Sequence, residues 1–119
     1  MDYVSLEREI KSIIEDAFDI NEEATRYRIF MLIQDLPEEI FESKKQGRPF
    51  RLPYDLLVEE RSVAYRLLDM LGESIKRMSD EEFEEFYVNY LDILERQHRI
   101  VSEEIAEITA RVEKMLEML

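Results

Sequence analysis

The reading of the fold turns on residues 78–119, Met78-Ser79-Asp80-Glu81-Glu82-Phe83 and the unbroken run that follows to Leu119. Ser79 stands where a helix cap is needed, and Glu82 lies three residues on. Each side chain can satisfy the backbone donor at the other's position, which makes a capping box. Met78 and Phe83 flank the turn at the spacing of a hydrophobic staple. A helix therefore starts at Asp80. No glycine or proline interrupts the chain from there to Leu119, so the helix is predicted to reach about 60 Å at ~1.5 Å per residue. A compact domain of this length has a radius of gyration of only ~13–14 Å. The last helix must overhang its own domain.

Its heptad stripe recurs in steps of three and four, at Leu91, Leu94, His98, Val101, Ile105, Ile108, Val112, Met115 and Leu119, all apolar but His98. A sustained 3.5-residue period calls for a partner helix. Residues 83–101 are expected to find it within the chain. Residues 105–119 have too little chain left to cover them and form an expected oligomerisation segment. The candidate interface is Leu94, His98, Val101, Ile105, Ile108, Val112, Met115 and Leu119.

Working back from Met78, the pattern stays helical. Leu56, Leu57, Val63, Ala64, Leu67, Leu68, Leu71, Ile75 and Met78 form a stripe for a helix over 53–78 that opens at Pro53. Before it lies Gly47-Arg48-Pro49-Phe50-Arg51-Leu52-Pro53, the one clear loop. A second helix over 22–46 follows Asn21 as cap, with Lys44 and Lys45 in its last turn, where the dipole favours cations. Its run Tyr27, Ile29, Phe30, Met31, Leu32, Ile33 is apolar nearly all round, so burial on more than one side is expected. Pro37 removes a donor and crowds the preceding turn, which predicts a kink or a stop and restart. Leu6, Ile10, Ile13, Ile14, Ala17 and Phe18 share a face of a first helix over 3–18. The expectation is an all-α, four-helix amphipathic domain over 1–104, with 105–119 continuing the last helix as a projecting, coiled-coil-like element.

Composition narrows the chemistry. The 119 residues are 45% apolar and 38% charged, with no cysteine. A disulfide framework, a thiolate metal site and a cysteine nucleophile are thereby excluded. No apolar run approaches the ~18 residues of a membrane span, and no leader pattern opens the chain, so a soluble, cytoplasmic protein is expected. Asn and Gln are scarce and Glu and Arg abundant, which leans toward a thermophilic source. The net charge of −13 opposes autonomous binding to nucleic acid or anionic lipid. Lys44, Lys45, Arg48 and Arg51 are the one basic cluster and the only local candidate for contact with a polyanion or a partner.

No nucleotide loop is available from Gly47 and Gly72 alone, and one histidine cannot furnish a hydrolytic triad. Glu95 and His98 have the Glu-x-x-His spacing of helical di-iron proteins. A second copy of that motif would have to come from a second chain, so a dimeric metalloenzyme is the lesser reading. A polar register residue in the heptad stripe is the ordinary role for His98. No catalytic, cofactor-binding or metal residues and no cofactor are assigned.

The order of these features resembles the helical A domain of the GINS replication complex, of the archaeal small-subunit type. The likeness covers about residues 5–100. It rests on Glu60, Arg61, Tyr65, Leu67, Leu71, Ile75 and Arg77 of the third helix, then Ser79-Asp80-Glu81-Glu82-Phe83 before the long fourth. Gly72, Glu73 and Ser74 replace basic residues common in that family, and 105–119 stay helical where a small β-rich B domain would follow. The resemblance implies a non-catalytic scaffold that assembles through its helices with its own or paralogous subunits and supports the MCM helicase and a RecJ-like partner. It further implies a nucleoid-associated location. The alternative is a helical interaction or regulatory module unrelated to replication.

Overall fold

The computed structural model describes residues 2–119 and consists of four α-helices, α1 (Tyr3–Phe18), α2 (Glu23–Lys45), α3 (Val58–Lys76) and α4 (Asp80–Glu117). No strand forms among the described residues. Helix α2 pairs with α3, and α1 runs along α4. A single core joins the two pairs. It takes Leu6, Ile10, Ile13 and Ile14 from α1, Ile29, Ile33 and Ile40 from α2, Leu67, Leu71 and Ile75 from α3, and Phe86, Tyr90, Ile93 and Leu94 from α4. These are the positions that period-3.6 spacing puts on one face of each helix.

The helix ends follow from local chemistry. Asp2 caps α1, accepting from the backbone N–H of Val4 and Ser5 through Oδ1 at 3.1 and 3.2 Å. Ser79 and Glu82 form the expected reciprocal box at the start of α4, both bonds at 3.2 Å. At the end of α2, Gly47 takes φ +66°. Arg48 N–H then donates to Ser43 O and Gly47 N–H to Lys44 O. That pair of bonds is the Schellman closure that a glycine beyond the cap permits.

Three boundaries differ from the sequence reading. Helix α2 begins one residue later than Asn21 would cap it, with Glu22 in the cap position and no side-chain bond there. Helix α3 begins at Val58 rather than Pro53, because the chain before it is held in another shape. Arg61 donates to the carbonyls of Pro53 and Tyr54, at 3.4 and 3.1 Å, and Arg28 reaches Asp55 O at 3.5 Å. These carbonyls turn outward to the guanidinium groups of Arg28 on α2 and of Arg61 on α3 itself, and the helix starts only after them. Helix α2, for its part, runs through Pro37 without a break, and that proline is buried.

Polar contacts between helices fix their register. Arg66 on α3 spans three residues of α1, with Nε on Glu9 at 2.7 Å, Nη1 on Asp16 at 3.0 Å and Nη2 on Ser12 at 3.1 Å. Glu60 on α3 is buried, with one carboxylate oxygen 3.1 Å from Arg28 Nε on α2. The N–H does not point at that oxygen, so the contact is ionic rather than a directed hydrogen bond.

The molecule measures 62 × 30 × 17 Å, and its radius of gyration is 16.7 Å. Helix α4 sets the long dimension. Every residue from Ala106 to Leu119 is exposed, so the final turns stand clear of the rest of the chain. No helix among the described residues is long and apolar enough to cross a membrane.

Candidate functional site

The heptad stripe of α4 is divided by its surroundings. Leu94 and Val101 are buried in the chain's own core, which removes them from the expected interface. They face α1, whose apolar side lies against this part of α4. His98 is half-buried, its ring 5.9 Å from that of Phe18 and 4.4 Å from that of Phe30. Ile105 is half-buried and packs on the edge of the core. Beyond it, Ile108, Val112, Met115 and Leu119 are exposed, together with Leu116 and Met118. The open part of the expected interface is thus the C-terminal half alone.

A groove of about 670 Å³ adjoins this stripe, with Phe18, Tyr27, Phe30, Met31, His98 and Ile105 among its walls. It arises because α2 is not covered all round. Ile29 and Ile33 are buried, but Tyr27 is 67% exposed and Met31 is on the surface. The expected burial of that run on more than one side is corrected here, since α3 covers one side and only part of α4 reaches the other. Ile105 belongs to both features, so groove and stripe form one continuous apolar surface. Sequence reasoning missed the groove. Its only trace was an aromatic and a methionine four residues apart on a helix already assigned to the core.

The four basic residues do not act together. Lys44 Nζ donates to Met78 O at 2.5 Å, and Lys45 Nζ lies 3.8 Å from Asp80. Both ammonium groups stand over the Phe41 ring, at 5.2 and 5.6 Å. The pair therefore ties the end of α2 to the turn before α4. Arg48 Nε donates to Gln46 Oε1 at 2.8 Å. Arg51 points elsewhere, into a dent it shares with Arg61 and three aromatic side chains.

For the metal reading, the His98 ring lies against two phenyl rings, and Glu95 is exposed. No group of three or more histidine, aspartate or glutamate side chains converges as a metal cage among the described residues. The most perturbed titrating group is Tyr90. Burial pushes its phenol well above the usual range, with the neighbouring Tyr87 adding to the effect. Its hydroxyl donates to Ile33 O within the core, which is a structural role.

Set against known protein families, curated proteins and solved structures, the chain matches none.

Proposed function

We propose that this chain is a non-catalytic assembly subunit resembling a GINS-complex A domain, which supports a replicative DNA helicase through helix-mediated subunit contacts. One observation carries the assembly part: the last turns of α4 present Ile108, Val112, Met115 and Leu119 to solvent at helical spacing. The three-and-four spacing suits a partner helix laid along the stripe in coiled-coil fashion. Each fully buried Leu or Ile contributes roughly 1.5–3 kcal/mol, so a handful of such residues is enough to anchor a subunit. The partners are further copies or paralogous subunits, with the MCM helicase and a RecJ-like protein reached through the assembly. The replication part rests on the resemblance of the third helix and the capped turn after it.

The test is light scattering on the wild-type chain and on Ile108→Asp with Val112→Asp. Both residues are exposed and lie outside the hydrophobic core, so the variant is expected to keep its helicity and thermal midpoint. Wild-type assemblies should fall to monomers. A wild-type chain that stays monomeric, alone and with its captured partners, would remove the assembly reading.

A second reading, an interaction or regulatory module outside replication, is favoured by Gly72, Glu73 and Ser74 where the family carries basic residues. Capture from the source cells separates the two. Retention of MCM and RecJ-like proteins by the wild type, and their loss with the double variant, supports the replication scaffold. Tail-dependent retention of other proteins alone supports the second reading.

A further inference from the structure

From Ser43 to Tyr54 the chain has four cations and no acidic residue, in a protein whose net charge is −13. Of these four, Lys44, Lys45 and Arg48 are engaged elsewhere, and Arg51 is joined instead by a cation from α3. Arg51 from the loop and Arg61 from the first turns of α3 border a dent of about 420 Å³, and no carboxylate lines it. Tyr54 and Tyr65 stand on its rim, 95% and 56% exposed, and Leu68 and Phe50 are half-buried beneath them. Neither arginine has a carboxylate within ion-pair distance among the described residues, and no carboxylate lines the dent between them. Arg61 spends one nitrogen, Nη2, on the carbonyls of Pro53 and Tyr54. That holds its guanidinium in place at the edge of the dent.

We infer that this dent is a docking site for a short acidic and apolar segment of a partner protein. One guanidinium held in place, Arg61, and one left free, Arg51, both without an internal counter-ion, pair best with carboxylates, which they can grip through parallel N–H bonds. Leu68 and Phe50 offer an apolar seat for one side chain of the same segment. Exposed tyrosines with few rotatable bonds are the residues that anchor peptide contacts at low entropic cost. A short segment with two or three carboxylates suits this charge balance. A nucleic-acid strand does not, because every phosphate beyond the dent meets the acidic remainder of the chain. The site shares no residue with the stripe or the groove.

The test is selection of a random twelve-residue peptide library displayed on phage against the full chain. Arg51→Glu and Tyr65→Ala serve as counter-screens. Arg51 and Tyr65 are exposed and make no hydrogen bond through their side chains among the described residues, so both variants should hold the wild-type thermal midpoint. If Arg51→Glu does not, Arg51→Gln replaces it. Enriched peptides are expected to carry at least two acidic residues around an aliphatic or aromatic one. Their affinity should drop about tenfold or more in either variant and fall as salt rises. Enriched peptides without acidic residues, or peptides that bind both variants as they bind the wild type, overturn the proposal. So does an oligo-dT strand that binds more tightly than any peptide and is lost in Arg51→Glu. Self-association that disappears in Arg51→Glu would make a second copy the occupant and equally sink it.

Discussion

Glu7 shows how a half-exposed residue can fix the register between two helices. Its Oε1 accepts from Arg96 Nε at 3.0 Å, from Arg96 Nη2 at 2.5 Å and from Gln97 Nε2 at 2.8 Å. Gln97 is buried, so its amide needs that acceptor. The hydrogen bonds from Arg96 hold the Glu7 carboxyl below its ordinary value of 4.5, with Gln97 adding to the effect against a smaller cost of burial. A carboxylate whose folded pKa is depressed contributes stability that is complete above its unfolded pKa. That contribution drains away as pH falls through the folded one. Glu7→Gln should therefore cost about 0.5–1 kcal/mol at pH 7, the scale of a partly solvated charge-assisted contact. The gap in thermal midpoint between the variant and the wild type should close as pH drops below 4.5. A gap that stays constant from pH 7 to pH 3 would mean that lost packing, not lost charge, accounts for it.

Helix α2 raises the question of how a proline survives in the middle of a buried helix. Pro37 has no N–H, so the carbonyl of Ile33, four residues earlier, loses its helical partner. The Tyr90 hydroxyl of α4 donates to that same carbonyl. Tyr87 donates to the next one, Gln34 O, at 3.0 Å. The helix continues because another helix supplies the missing donor. Tyr90→Phe should cost about 1–3 kcal/mol, the penalty for a buried acceptor left alone. Pro37→Ala restores the backbone N–H, so in the Tyr90→Phe background it should recover most of that loss. In the wild-type background it should gain far less. A double-mutant cycle by chemical denaturation reads the coupling. Strictly additive effects would show that proline and tyrosine do not share the carbonyl. This pair also marks where the sequence stops being legible. The capping box at Ser79 and the apolar faces of α1 and α4 depend on residues within a few positions of each other, and periodicity exposes them. The fate of Pro37 depends on a residue 53 positions away. The start of α3 likewise depends on Arg28, which claims the Asp55 carbonyl from another helix. At the candidate surfaces, Ile108, Val112, Met115 and Leu119 were readable as an uncovered stripe because the length of α4 alone leaves them out. Arg61 and Tyr65 enter the sequence reading only through the family resemblance, since nothing local joins them to Arg51.

Across the whole molecule, charge and apolar surface act in opposite senses. Residues 105–119 carry three acidic and two basic side chains, a net of −1, against −13 for the full chain. The apolar stripe thus sits at a weakly charged end of an acidic molecule 62 Å long. Two such molecules repel through their bodies while their ends attract by burial. The repulsion reaches ~30 Å at 0.01 M salt and ~8 Å at 0.15 M, whereas apolar burial does not weaken with added salt. Self-association through the stripe should therefore tighten as salt rises from 0.01 to 0.15 M, and light scattering or sedimentation should show larger assemblies at equal protein concentration. Binding of an acidic segment at Arg51 and Arg61 should weaken over the same range, because salt screens the attraction that holds it. One salt titration followed by both readouts separates the two surfaces. Association that loosened with salt, in step with peptide binding, would assign the contacts between copies to charge pairing and leave the stripe without its role.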